Sequence, residues 1–461
     1  MQTRTFNASI GFLLLLLISG CAPFAQYRTQ YDLCTNPDVV LSKDCEKHAL
    51  QQLPTGEGAD YLLGFIEFDD QGQLWDRKQM RAILDRFELE SSSQDLLMVA
   101  FVHGWKHSAA PGDGNIETFR KVLARLTLDE AQISRQTGKP ARRVAGLYLG
   151  WRGGTVSVPV VENLTFWERK NTAQKVGHGG MTEVLSRLEQ IKRDKDSVEP
   201  PERRATRLVV IGHSFGGAVV HNALGQILES RFVRTVGPAG VQSDVEGFGN
   251  LVLLINPAFE ASQFAALSDM SAERGSYFKT QLPVIAILTS EADYATRYAF
   301  PAGRKLSTLF EKTHDTARWN AVGHHEEAIA ENEANVSAVG HFAPYRTHWL
   351  YPVKLVDRGS TSVLTSNESL RSALLAAASW ENDRPGSKIP FADLILERTA
   401  TSAGRNPNMV IYVDRQLIAD HNDIDDERII EFIKQLILIS TLSKETRATA
   451  SKAMQIAPMT H

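Results

Sequence analysis

Apolar residues in this chain come as short unbroken runs separated by longer amphipathic stretches, and that alternation sets the expected fold. The first run, 61–68, reads Tyr-Leu-Leu-Gly-Phe-Ile-Glu-Phe and predicts a strand, while 78–89 places apolar residues at helical spacing. After a loop marked by Ser91-Ser92-Ser93, the run Leu96-Leu97-Met98-Val99-Ala100-Phe101-Val102 predicts the first core strand. A helix near 115–136, a strand at 144–151, a helix near 168–194, a strand at 207–213 with a helix behind it, and strands at 251–255 and 283–288 continue the rhythm. These strands are apolar at nearly every position rather than at every second one. That pattern suits a parallel sheet covered by helices on both faces, so an α/β fold is expected. From about 296 to 405 the rhythm fails in a stretch rich in His, Asn, Ser and Gly, with short helical pieces such as 369–379, which reads as an insertion. It resumes with Met409-Val410-Ile411-Tyr412-Val413 and an apolar-periodic helix over 425–439, the expected last strand and last helix. The expected organisation is an N-terminal extension over 21–92 feeding the sheet edge, a core over 93–300, an insertion or cap over 301–405, the last strand and helix over 406–443, and a frayed polar tail over 444–461.

With 461 residues, 43% hydrophobic and 23% charged, the composition is that of a globular chain with room for one elaborated α/β domain or two modest ones. A net charge of -4 gives no support for a nucleic-acid partner. The first residues change the picture more. Arg4 precedes an apolar run at 12–18 that is short for a membrane span, and Ile18-Ser19-Gly20-Cys21 resembles a bacterial lipobox. The resemblance implies removal of residues 1–20 and lipidation of Cys21, a simple cleaved signal being the alternative. Ala22 stands where inner-membrane lipoproteins carry aspartate, so the implied location is the cell envelope, anchored by lipid in the outer membrane and facing the periplasm. Cys34 and Cys45 remain, an even pair in an oxidising compartment, and a disulfide is expected between them, with two free thiols as the alternative. Two cysteines are too few for a structural zinc site, and no metal is expected.

The candidate chemistry centres on Arg207-Leu208-Val209-Val210-Ile211-Gly212-His213-Ser214-Phe215-Gly216-Gly217-Ala218, where Gly-x-Ser-x-Gly joins a β-branched run to a helical one. A turn this tight leaves space only for glycine beside the serine, so Ser214 projects alone, and the helix behind it aims its first N–H groups at the same point. With these residues the chain resembles the α/β-hydrolase superfamily over about 95–300 and again near 408–440. The resemblance implies a mostly parallel eight-stranded sheet and a triad in the order Ser, acid, His. Phe101-Val102-His103-Gly104-Trp105 ends a strand where relatives place an oxyanion loop, so the N–H groups of Trp105 and Phe215 are the expected oxyanion donors. The run at 283–288 leads into Thr289-Ser290-Glu291-Ala292-Asp293, which makes Asp293 the candidate acid, with Glu291 and Glu260 as alternatives. Thirteen histidines compete for the role of base. His421 lies between the last strand and last helix, where the superfamily places it, while His348 and His341, in a polar and aromatic stretch of the insertion, are the alternatives.

The expected activity is cofactor-free hydrolysis of carboxylic esters, small-molecule or lipid-like, through an acyl-enzyme on Ser214, with Asp293 orienting His421. A non-catalytic envelope lipoprotein that uses the same scaffold for binding or assembly is the alternative. Other motifs do not develop. His325-Glu326-Glu327-Ala328-Ile329 lacks the second histidine of a zincin helix, no Gly-Lys-Ser/Thr phosphate loop occurs, and Gly177-His178-Gly179-Gly180 lies in a connection after the 144–151 strand.

Overall fold

Each of the seven apolar runs between 61 and 413 forms a strand, and all of them join one sheet of twelve. The computed structural model describes residues 24–154, 166–200, 203–237, 240–353, 363–383 and 386–456. The strands are β1 (Gln30–Thr35), β2 (His48–Pro54), β3 (Asp60–Glu67), β4 (Leu96–Val102), β5 (Arg143–Gly150), β6 (Arg207–His213), β7 (Leu251–Ile255), β8 (Ile285–Ser290), β9 (His348–Pro352), β10 (Lys388–Phe391), β11 (Leu394–Arg398) and β12 (Asn408–Val413). They lie in the order β1-β2-β3-β5-β4-β6-β7-β8-β12-β9-β11-β10. From β3 to β9 every neighbouring pair is parallel. The antiparallel pairs are β2 with β3 on one side and β9 with β11 and β11 with β10 on the other.

The helices are α1 (Arg77–Ser93), α2 (Gly114–Thr137), α3 (Phe166–Val176), α4 (Thr182–Val198), α5 (Phe215–Arg234), α6 (Ala265–Arg274), α7 (Phe300–Ser307), α8 (Glu331–Val336), α9 (Ser366–Glu381), α10 (Glu427–Thr441) and α11 (Lys444–Ile456). Strand side chains alternate between two cores. Along β4, Leu96, Met98, Ala100 and Val102 pack with residues of α1, α3, α4, α5 and α6, whereas Leu97, Val99 and Phe101 pack with α2, α9 and α10. Burial of each such aliphatic or aromatic side chain contributes about 1.5–3 kcal/mol, which is why the strands carry apolar residues on both faces. No helix among the described residues is long and apolar enough to cross a membrane.

Four expectations are corrected. The sheet has twelve strands rather than eight: the apolar runs supply seven, β3 to β8 and β12, to which 30–54 adds two at one side and the insertion three at the other. β12 is the last strand in chain order, as expected, and lies between β8 and β9, but α10 is not the last helix, since α11 follows it. Ser91-Ser92-Ser93 stays helical, with Ser92 and Ser93 donating to the carbonyls of Leu89 and Glu90. The tail is a helix over Lys444–Ile456 that packs on α2 and buries Ala450. Cys34 and Cys45 are joined as expected, with Cα atoms 5.6 Å apart, tying β1 to the turn before β2. Cys21 lies outside the described residues.

Candidate active site

The C-terminal ends of β4, β6, β7, β8 and β12 meet at one edge of the parallel block, and Ser214, Asp293 and His421 hang from that edge. Between β6 and α5, Ser214 has φ 56° and ψ -122°, a region a side-chain-bearing residue rarely occupies and holds only when its surroundings fix it. The surroundings do so. Ser214 N–H donates to Ile255 O at 2.9 Å, and its carbonyl accepts from Gly217 N at 3.0 Å and Ala258 N at 3.1 Å. A Cβ on Gly216 would lie 2.1 Å from Val102 O, so the elbow can press against β4 only with glycine there.

His421 comes from the loop between β12 and α10. Its Nε2 is 2.6 Å from Ser214 Oγ, and its Nδ1 is 2.9 Å from Oδ2 of Asp293, which is fully buried just after β8. Because Nδ1 faces a carboxylate it carries the proton, which leaves the Nε2 lone pair for the serine hydroxyl. Asp293 also accepts from the Thr296 backbone N–H at 3.1 Å and from the Thr296 hydroxyl. Burial pushes the Asp293 carboxyl up, but His421 and the Thr296 donors outweigh it and hold it below the usual carboxylate range. The site is nearly closed, with Ser214 3% and His421 8% exposed.

A further layer of polar residues, with no signal in the periodicity of the sequence, fixes the loop that carries the base. The carbonyl of His421 accepts from Asn256 Nδ2 at 2.9 Å and from His213 Nε2 at 3.1 Å. The Asn256 side-chain oxygen accepts from Ser290 N–H at 2.9 Å, and the Ser290 hydroxyl donates to Ile418 O at 2.5 Å, so one amide and one hydroxyl lock β7, β8 and the His421 loop together. The available hint was position: Asn256 and Ser290 sit at or just past strand ends on the edge that bears Ser214. Burial, then repulsion from His421, pushes the His213 imidazole down to about 3, and it remains neutral.

The oxyanion-loop candidates lie beside the serine. A Cβ on Gly104 would be 2.7 Å from Ser214 Cβ, so the turn carrying the Trp105 peptide abuts the elbow, and Phe215 is the first residue of α5. His103 fixes this turn: its Nε2 accepts from Trp151 N–H at 2.9 Å, its Nδ1 donates to Gly104 O at 2.9 Å, and its ring stacks on Trp151. Burial pushes it down to about 4.

The alternatives fall elsewhere. His341 stands behind the acid, its Nε2 3.0 Å from Thr296 Oγ1, and does not reach the serine. His348 is buried on β9, where it bonds to Thr347 and stacks on Trp380. Glu260 pairs with Lys170 at 2.5 Å and Arg304 at 2.7 Å, and Glu291 pairs with Arg415 at 2.6 Å. Among the described residues no group of three His, Cys, Asp or Glu side chains is placed to hold a metal. No family model, curated protein or solved structure matches the chain.

Proposed function

We propose that the chain is a serine hydrolase of the α/β-hydrolase type that cleaves carboxylic esters. One observation carries this reading: a serine held at φ 56° with its hydroxyl 2.6 Å from an imidazole whose other nitrogen is 2.9 Å from a buried carboxylate. In the proposed reaction Ser214 Oγ attacks the acyl carbon while its proton passes to His421 Nε2, and Asp293 stabilises the imidazolium. The negative charge on the carbonyl oxygen falls between the Gly104-Trp105 turn and the start of α5, where backbone N–H groups of Trp105 and Phe215 are the donors assigned to it. His421 returns the proton to the leaving alkoxide, which departs as the alcohol. Water, deprotonated by the same imidazole, then releases the acid and restores Ser214. No cofactor enters this scheme. The lipobox-like Cys21 supports a lipid-anchored protein of the bacterial envelope, which puts lipid-like esters within reach of the site.

The 3% exposure of Ser214 favours the second reading, a scaffold that binds without turnover. A fluorophosphonate probe separates the two. A covalent adduct located on Ser214 by mass spectrometry, and absent from Ser214→Ala, supports the hydrolase. An unlabelled serine in folded protein supports the binding scaffold.

A further inference from the structure

We propose that the cavity at the opposite edge of the sheet, among the N-terminal ends of β4, β5 and β6, is a binding site for a phosphate-type anion. The cavity has a volume of about 350 Å³. It is lined by Lys139, Arg142, Arg203, Arg204 and Arg207 against two carboxylates, Asp95 and Glu130, an excess of three positive charges in a protein whose net charge is -4. Strands of seven or eight residues separate it from the triad by roughly 20 Å, so it is no part of the ester site.

The two lining carboxylates leave most of that charge unanswered, with Glu445 beside the cavity acting on Lys139. Glu130 is used up by Arg142, which it grips at 2.8 and 2.5 Å, and Asp95 accepts from the Thr206 hydroxyl at 3.0 Å. Arg207 spends its donors on carbonyls alone, those of Thr441 at 3.0 Å, Thr206 at 2.9 Å and Arg204 at 2.7 Å. The acids it feels, Asp196, Asp95 and Glu130, act without an ion pair among the described residues, and Asp196 is itself taken by Lys192 at 2.6 Å. Burial, then the neighbouring Arg142, pushes the Arg207 guanidinium down to about 10, and an anion in the cavity would relieve both. Planar guanidinium forks match the oxygens of a phosphate group, and the hydroxyls of Thr137, Ser443 and Thr446 border the same space. Ser443 and Thr446 also open α11, so a bound anion would fasten this terminal helix to the sheet.

A phosphate group reaches such a site either on a soluble compound or on a lipid headgroup. The test takes the full chain in detergent, titrates it calorimetrically with inorganic phosphate at constant ionic strength, and floats it with vesicles of phosphatidylglycerol or phosphatidylcholine. Saturable binding of free phosphate assigns the soluble source. Excess retention on phosphatidylglycerol over phosphatidylcholine, without phosphate binding, assigns the headgroup. In either case an Arg203→Gln/Arg204→Gln chain should bind about tenfold more weakly, the loss expected for one charged hydrogen bond. Lys139→Gln, at an exposed position, serves if the double variant fails to fold. Binding that is equal in wild type and variants, or absent from all of them, overturns the proposal.

Discussion

The two edges of the parallel block handle charge in opposite ways. At the C-terminal edge Ser214, Asn256, Ser290, Asp293, Thr296 and His421 are all buried, and a single carboxylate is surrounded by donors from His421 and Thr296. At the N-terminal edge Lys139, Arg203 and Arg204 stand beside an open cavity, Lys139 and Arg203 exposed, with carboxylates outnumbered. Both edges belong to the same strands, so the difference comes from the loops. The C-terminal edge is closely tied because its buried donors and acceptors satisfy one another, and it tolerates neither a lost partner nor an added proton. The other edge combines the buried Arg142–Glu130 pair with exposed Lys139 and Arg203, and only the exposed members tolerate such a loss.

Substitutions should separate the two edges most sharply at the triad. Ser214→Ala is expected to lower ester turnover by on the order of 10⁶-fold, and Asp293→Asn, which removes the acceptor that fixes the His421 tautomer, by about 10⁴-fold, read as kcat on a soluble aryl ester. Acid comes next. Buried His103 and His341 are held near 4, and His213 and His348 near 3, against an ordinary value of 6.5. The unfolded chain takes up protons below 6.5 and the folded chain does not until 3 to 4, so stability is complete above pH 6.5 and falls steadily as the pH drops through that window. His221, which burial also holds near 4, adds to the same loss, and together these histidines are expected to weaken the fold on the scale of a typical net stability of about 5–15 kcal/mol. Urea midpoints measured from pH 8 to 4 check this, and a flat profile would refute it. Asn256→Ala is expected to cost about 1–3 kcal/mol in urea unfolding, since it strands the Ser290 N–H inside the protein. Arg203→Gln/Arg204→Gln should be the mildest, within about 0.5 kcal/mol of wild type in stability and unchanged in ester turnover.

The site and the frame that holds it were unequally legible in the sequence. Ser214, Asp293 and His421 could be found because each follows a strand that announces itself by continuous apolar character, and parallel strands bring their ends to one edge. β9, β10 and β11 were hidden for the converse reason. His348-Trp349-Leu350-Tyr351-Pro352 mixes polar and apolar residues and ends in proline, and the β10–β11 hairpin turns through Ala392 at φ 51°, without the glycine or asparagine that usually marks such a turn. β1 is partly exposed along its whole length, so no periodicity reveals it. The supporting residues Asn256, Thr296 and His213 escaped notice because a single polar residue at a strand end has no pattern of its own. Their role depends on which loop lies across from them, and that is decided only by the assembled sheet.

The continuous parallel block also sets the order in which the protein can come into working existence. Strands that run parallel cannot be joined by tight turns, so every pairing waits for a long crossover, and β8 meets β12 only after the whole insertion has been made. Ser214 precedes its histidine partner by 207 residues, and Asp293 precedes it by 128. A nascent chain, or one cut short of residue 421, therefore carries the nucleophile with no base to activate it. For the exported lipoprotein proposed above, Ser214 would cross the inner membrane without His421 until almost the last segment has arrived and folded.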